Sequence, residues 1–469
     1  MKTTGWRSLI LYIIGAGFLV GIIFFICSYF IQGGSWAIRP SNAHITNNGQ
    51  LTYSGEITDR DSNLLSYSKD DVQQYNDNAL IRKATLHVVG DPNGYISTGA
   101  QYAFRTQLSG FNPITGVVSP FGNSVTGSNI KLTISSDVSA AALQALNGKK
   151  GAVAVYNYKT GEVLCMVSSP TFDPLNIPSD IETNSAYEGV YLNNALSSTY
   201  TPGSIFKVIT AAAAIENIPD LNSRTFHCSG STIINGEKIT CDSVHGDISF
   251  QNGLAQSCNV VFAELAVELG KDTMTKYADQ LGCNTNFYLD GNPNKMSSYN
   301  VEQADDNSLA WSGIGQYTDT VNPYHMMILM GAIANGGTPV NPYIIQSVTN
   351  SIGLQTKTGK TTYGDNMLKQ STAEELQRLM RYTVSNYYGD SMFPNLQVAA
   401  KTGTAEVGDN KIPTGWIVGY SERDDLPLAF AVVVEEGNYG RNSAGVVANT
   451  VLQKAAALYT RGKRHLRIR

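Results

Sequence analysis

The longest apolar stretch stands near the start of the chain. Residues 9–31 carry no charge. At ~1.5 Å rise per residue, a helix of that length crosses a ~30 Å hydrocarbon core. Lys2 and Arg7 precede it, so the pattern predicts a single-pass anchor in the cell membrane, N-terminus cytoplasmic and the remainder extracytoplasmic. The run exceeds the apolar core of a cleavable signal peptide and no small-residue cleavage site follows, which favours an uncleaved anchor. Residues 32–54 read as a polar connector rich in Gly, Asn and Ser. From there to residue 129, short alternating segments are broken by Gly, Asn and Pro turns. That pattern predicts a small, mostly strand-and-loop pedestal over 32–129, with no catalytic constellation of its own.

The periodicity changes after residue 130. Residues 130–134 read as a strand, 137–146 as a helix, and 151–156 and 163–167 as two strands joined by the turn 157–162. Residues 200–281 read as mainly helical. Two of those helices, 250–256 and 260–269, meet at Ser257-Cys258-Asn259. Helices follow at 325–334 and 372–385, then strands at 396–405, 415–420 and 428–435, and a closing helix at 445–459. Strands at both ends of a helical middle predict an α+β domain over 130–460, its antiparallel sheet flanked by helices. The tail, 461–469, holds five basic residues. It suits contact with anionic lipid or wall polymer, and equally a mobile solubilising end.

Composition narrows the function classes. The 469 residues are 42% apolar and 15% charged, as in folded domains, and two such domains suit the length. A net charge of -5 implies no general affinity for nucleic acid. With Cys27 in the apolar run, five cysteines remain, so a complete disulfide framework is excluded. Cys228 and Cys241 bracket a hairpin-like stretch and are the best candidate pair; a bridge there would add on the order of 3 kcal/mol. His227 and His245 lie near enough to make zinc conceivable. The absence of a close C-x-x-C pair ranks zinc below a disulfide or free thiols.

The candidate chemistry is centred on Thr201-Pro202-Gly203-Ser204-Ile205-Phe206-Lys207. Thr201 suits an N-cap and Pro202 a first helical position. On a helix, Ser204 and Lys207 share a face. A serine hydroxyl becomes a nucleophile when a base takes its proton, and a lysine serves as that base once burial lowers its pKa. Ser-x-x-Lys also occurs at Ser66 and Ser128, where polar surroundings read as surface loop. Ser257-Cys258-Asn259 offers a hydroxyl and an amide; alone it reads as a helix cap, as does Ser298-Tyr299-Asn300. Lys-Thr-Gly occurs at Lys159, Lys357 and Lys401. Only Lys401-Thr402-Gly403-Thr404 lies on an apolar, edge-like strand, where Gly403 permits close backbone approach.

Ser-x-x-Lys, Ser-x-Asn and Lys-Thr-Gly in this order resemble the motif set of penicillin-binding proteins and class A β-lactamases. The flanking Gly313-Ile314-Gly315-Gln316, Ala334-Asn335-Gly336-Gly337 and Ser168-Ser169-Pro170-Thr171 are similar to penicillin-binding transpeptidases, class B in particular. The resemblance implies the penicillin-binding/β-lactamase-like fold and a D,D-transpeptidase that cross-links peptidoglycan stem peptides. It implies an acyl-enzyme on Ser204, which β-lactam antibiotics would also form. By the same likeness Lys207 is the base and Ser257 relays a proton to the leaving amine, with Lys401 tuning its electrostatics. Asn259 holds the peptide. Thr402 and Thr404 bind the terminal carboxylate, and Thr404 and Ser204 supply oxyanion N–H groups beside Gly403. No cofactor or metal is implied. A SEDS-type glycosyltransferase is an expected partner.

Three rivals share parts of this pattern. A class A β-lactamase would need a Glu-x-x-x-Asn between Asn259 and Lys401, and none is present. A sensor or scaffold would be expected to carry further spans or to lose a motif residue. A D,D-carboxypeptidase differs only in letting water replace the acceptor amine.

Overall fold

The computed structural model describes residues 2–37, 39, 46–47, 50–51, 54–69, 72–111, 127–408 and 411–467. Eleven of the 23 residues of the predicted connector lie outside them. The N-terminal helix spans Lys2–Ala37, longer at both ends than the predicted run. Trp6, Leu11, Tyr12, Phe18 and Phe24 stand exposed along it. A core helix would bury them; this one is long and apolar enough to cross a membrane.

The C-terminal half is built on a five-stranded, wholly antiparallel sheet. Its spatial order is Val398–Ala405, Thr414–Ser421, Leu428–Val434, Gly151–Asn157, Val163–Ser169. The last strand of this sheet in chain order thus pairs with its first, which closes one core from both ends of the domain. Side chains alternate between two cores. Ala429, Ala431 and Val433 face one; Leu428, Phe430, Val432 and Val434 face the other. The first core is covered by the helix Pro323–Ala334, the second by Ser136–Leu146 and the C-terminal helix Ala444–Arg467. Burial on both faces explains why these strands read as nearly unbroken apolar runs. Each fully buried Val, Leu or Phe contributes about 1.5–3 kcal/mol over an exposed one.

Three expectations need correction. The pedestal is not only strands and loops, for Ala79–Val89 is a helix capped by Asn78, whose Oδ1 accepts from the Leu80 N–H at 2.9 Å. It packs on Ser136–Leu146 and the strand Val163–Ser169. Its Arg82 forks onto Asp173 at 2.7 and 2.6 Å, both side chains being nearly buried. Nor does a break fall at residue 130. A six-stranded sheet runs Gln355–Thr358, Ile345–Thr349, Asn129–Leu132, Ile57–Thr58, Leu64–Lys69, Val72–Tyr75, so both sides of that boundary share one set of hydrogen bonds. Finally, the segment 200–281 is interrupted by two strand pairs, Thr225–Cys228 with Gly246–Ser249 and Ser231–Ile234 with Glu237–Thr240. Asn235 and Gly236 turn the second pair with positive φ, as a tight hairpin demands.

Candidate active site

Ser204 lies in a short 3-10 turn, Gly203–Ile205, that leads into the α-helix Lys207–Asn217. Thr201 does not cap it. Gly203 takes φ 55° and breaks the helical phase, so the α-helix begins later than the Thr-Pro pair suggests. The turn is held from outside instead. Trp416 Nε1 donates to Thr201 O at 3.0 Å, and the Gly203 N–H donates to Gly315 O at 2.8 Å. The edge strand Val398–Ala405 presses on the same turn. A Cβ on Gly203 would stand 2.5 Å from Thr404 O, and one on Gly403 2.9 Å from Pro202 O. Glycine at both positions lets the strand reach the nucleophile.

Lys207 is fully buried, and its Nζ donates to Ser257 O at 2.7 Å, Ser257 Oγ at 3.2 Å and Asn259 Oδ1 at 2.6 Å. Lys401, also fully buried, donates to the same Ser257 Oγ at 3.0 Å and to Thr402 O at 2.8 Å. One hydroxyl therefore bridges two amines. Burial pushes the Lys207 ammonium down to about 8. Burial and then the Lys207 charge hold Lys401 well below the ordinary lysine range. Two desolvated ammonium groups so close cannot both keep their protons cheaply, and a neutral amine beside a serine is a base.

The backbone pays local strain to present Ser257. The helix Phe250–Ala255 ends in a Schellman turn, with Cys258 N–H donating to Gly253 O at 2.8 Å and Ser257 N–H to Leu254 O at 3.1 Å. Ser257 occupies the left-handed position, φ 58°, where glycine is usual. Both Ser257→Gly and Ser257→Ala lose the hydroxyl, but only glycine relaxes this backbone. Ser257→Gly should be the more stable by about 1 kcal/mol, read from denaturant midpoints, with both equally poor in acylation.

All eight residues singled out for catalysis and substrate binding converge. Ser204, Ser257, Asn259, Thr402, Gly403 and Thr404 line a cleft of about 600 Å³, and Lys207 and Lys401 reach Ser257 from within the fold. The Asn259 Nδ2 donates to Thr240 O at 2.9 Å while its Oδ1 accepts from Lys207, so both ends of the amide are engaged. The repeats of the motifs lie elsewhere. Lys357 pairs with Asp290, and Lys159 donates to Asn335. Sequence reasoning missed Tyr388 and Arg441. The Tyr388 hydroxyl meets Thr402 Oγ1 at 2.8 Å and accepts the Thr402 N–H at 3.0 Å. Arg441 lies over the Tyr388 ring and adds a cation to the cleft wall. Cys228 and Cys241 are not bridged; both thiols are free.

The profile of the penicillin binding protein transpeptidase domain matches residues 151–456. The chain belongs to the class B penicillin-binding transpeptidases. The match spans the five-stranded sheet and all three motifs. Among curated relatives of this transpeptidase is the peptidoglycan D,D-transpeptidase PbpA of Mycolicibacterium smegmatis, 29% identical over 385 residues, covering 75% of this chain and 77% of that protein. Stage V sporulation protein D of Bacillus subtilis is 30% identical over 349 residues, 70% of this chain and 52% of that protein. Among solved structures, penicillin-binding protein A of M. tuberculosis in an imipenem acyl-enzyme complex superposes with a TM-score of 0.76 at 25% identity, covering 86% of this chain and 98% of that one. The D,D-transpeptidase domain of a peptidoglycan glycosyltransferase from Eggerthella lenta superposes with 0.74 at 26% identity, with the same coverage.

Proposed function

We propose that this D,D-transpeptidase cross-links peptidoglycan stem peptides through an acyl-enzyme on Ser204. The observation that carries the reading is the buried Lys207 amine, three residues from Ser204 and hydrogen-bonded to Ser257 and Asn259 in one cleft. Ser204 Oγ attacks the carbonyl carbon of the D-Ala-D-Ala bond as Lys207 takes its proton. The Ser204 and Thr404 N–H groups receive the oxyanion. Ser257, bridged between the two lysines, hands a proton to the leaving D-alanine amine. Thr402 and Thr404, with Arg441 on the same wall, bind the terminal carboxylate, and Asn259 aligns the peptide. An amine from a neighbouring stem peptide then attacks the acyl carbon, and Ser204 recovers its proton as the cross-link forms. A β-lactam ring presents an amide to the same serine and acylates it.

The N-terminal helix would anchor the enzyme in a single pass, N-terminus inside and catalytic domain outside. The helix's length and exposed apolar surface support this. A SEDS-type glycosyltransferase as partner rests on the family resemblance alone.

The detergent-solubilised full chain is incubated with a fluorescent penicillin and run on a denaturing gel. A band that persists for hours, with D-alanine released from a stem-peptide donor beyond one equivalent per enzyme only when an amine acceptor is supplied, is the expected result. Rapid drug hydrolysis without a lasting band would indicate a β-lactamase. Multiple-turnover release of D-alanine independent of acceptor would indicate a D,D-carboxypeptidase.

A further inference from the structure

Behind the Ser257 loop, four metal-ligating side chains converge from four separate segments. Cys228 ends the strand Thr225–Cys228, Cys241 follows the strand Glu237–Thr240, His245 precedes the strand Gly246–Ser249, and Cys258 joins two helices. All four donor atoms lie within 4.8 Å of one another. His245 Nδ1 stands 3.4 Å from Cys228 Sγ and 3.6 Å from Cys241 Sγ; Cys241 Sγ stands 3.9 Å from Cys258 Sγ. These separations decide what the cluster is built for. A tetrahedral zinc ion with Zn–S ~2.3 Å and Zn–N ~2.0–2.1 Å requires S···S edges of about 3.8 Å and S···N edges of about 3.5 Å. A disulfide requires ~2.05 Å between sulfurs, and pairing any two thiols would leave the third and the imidazole without a role.

We infer that Cys228, Cys241, His245 and Cys258 bind one zinc ion in a closed Cys3His site. Three thiolates and a neutral imidazole suit zinc by softness and by geometry, and four protein ligands leave no open position for a substrate, so the ion is structural. Binding releases the protons of the thiols that become thiolates. The surroundings match the requirement. Cys228 and Cys258 are fully buried, and the Asn259 N–H donates to Cys241 Sγ at 3.2 Å, as backbone amides do to metal-bound sulfur. The ranking of zinc below a disulfide is thereby reversed. The sequence shows no C-x-x-C because the strand pairs, rather than a zinc knuckle, bring the ligands together.

The ion has a consequence for the reaction, which rests on the transpeptidase reading. Cys258 stands between Ser257 and Asn259. Anchoring it to the two strand pairs fixes the strained turn that holds Ser257 Oγ between Lys207 and Lys401. Zinc is thus a positioning element for the proton relay and touches no reacting atom.

The test measures metal content of the full-length protein, purified in detergent without chelator, by elemental mass spectrometry. About one zinc per chain is expected in the wild type and in Cys27→Ser, and less than about a tenth of that in Cys241→Ser and His245→Ala. Replacement by cobalt should give the intense visible bands of a tetrahedral cobalt thiolate, a signature independent of activity and of whether a variant folds. Wild-type protein that holds no zinc and takes up no cobalt after reduction would overturn the site. So would intact-mass evidence of a disulfide among Cys228, Cys241 and Cys258. Removing the ion should slow penicillin acylation about 10–100-fold. Unchanged acylation in the metal-free protein would leave the site standing and overturn its positioning role.

Discussion

Ser204→Ala is expected to abolish covalent labelling by penicillin while leaving the fold as it was. Two observations separate chemistry from stability here. The Lys207 amine donates to Ser257 and Asn259, so removing the Ser204 hydroxyl leaves it its partners. The turn that carries it is held by other groups: the Trp416 indole on Thr201 O, the Gly203 amide on Gly315 O, and the close approach of Gly403. A half-exposed hydroxyl of this kind costs within about 0.5 kcal/mol to delete. The other motif serine in the cleft, Ser257, has its hydroxyl held between Lys207 and Lys401. Loss of a serine nucleophile lowers turnover by a factor on the order of 10⁶. The gel assay should therefore show no band from a variant whose thermal midpoint matches the wild type. Labelling that survives in Ser204→Ala would mean another residue is acylated, and the assignment of the nucleophile would fall.

Much of the site was legible because each motif is short and contiguous, and chemistry dictates its residue types. Ser204 and Lys207 share a turn, Ser257 and Asn259 flank one cysteine, and Lys401 to Thr404 form one strand edge. The central sheet was legible for a different reason: strands buried on both faces read as apolar runs, and Val398–Ala405, Thr414–Ser421 and Leu428–Val434 fall where those runs do. What the sequence hid depends on tertiary context. Ala79–Val89 ends in Val88 and Val89 and contains Thr85, residues that disfavour helix locally; packing on Ser136–Leu146 overrides that preference. Ile57–Thr58 lies beside Asn129–Leu132 as a parallel neighbour, a pairing no local pattern announces. Tyr388 and Arg441 enter the cleft from separate segments, each meeting Thr402 or its partner only after folding. The Cys3His cluster is hidden in the same way, since its ligands come from strand ends and a helix junction.

Replacing Lys207 tests the mechanism more sharply, because two roles for its nitrogen give opposite outcomes. As a base, it must reach the neutral form. With its pKa pushed down to about 8 by burial, far more of the amine is neutral near neutral pH than in an exposed lysine. As a fixed cation, it would only need to stay charged. Lys207→Met keeps the length of the aliphatic stem beside the Phe262 ring and removes the nitrogen. Lys207→Arg keeps the charge and cannot be deprotonated in the working range. If Lys207 is the base, both variants should acylate 10²–10⁴-fold more slowly than wild type in stopped-flow measurements with a chromogenic β-lactam. The non-covalent affinity for the drug should change little. Stability need not fall far in Lys207→Met. The acceptors Ser257 O and Asn259 Oδ1 lose a donor, at about 1–3 kcal/mol. Relief from burying an ammonium offsets part of that, and Ser257 Oγ retains the Lys401 donor. Acylation by Lys207→Arg within about tenfold of wild type would show that charge rather than proton acceptance is what the site requires. The base would then have to be sought at Lys401, whose amine reaches the same Ser257 hydroxyl from the edge strand Val398–Ala405.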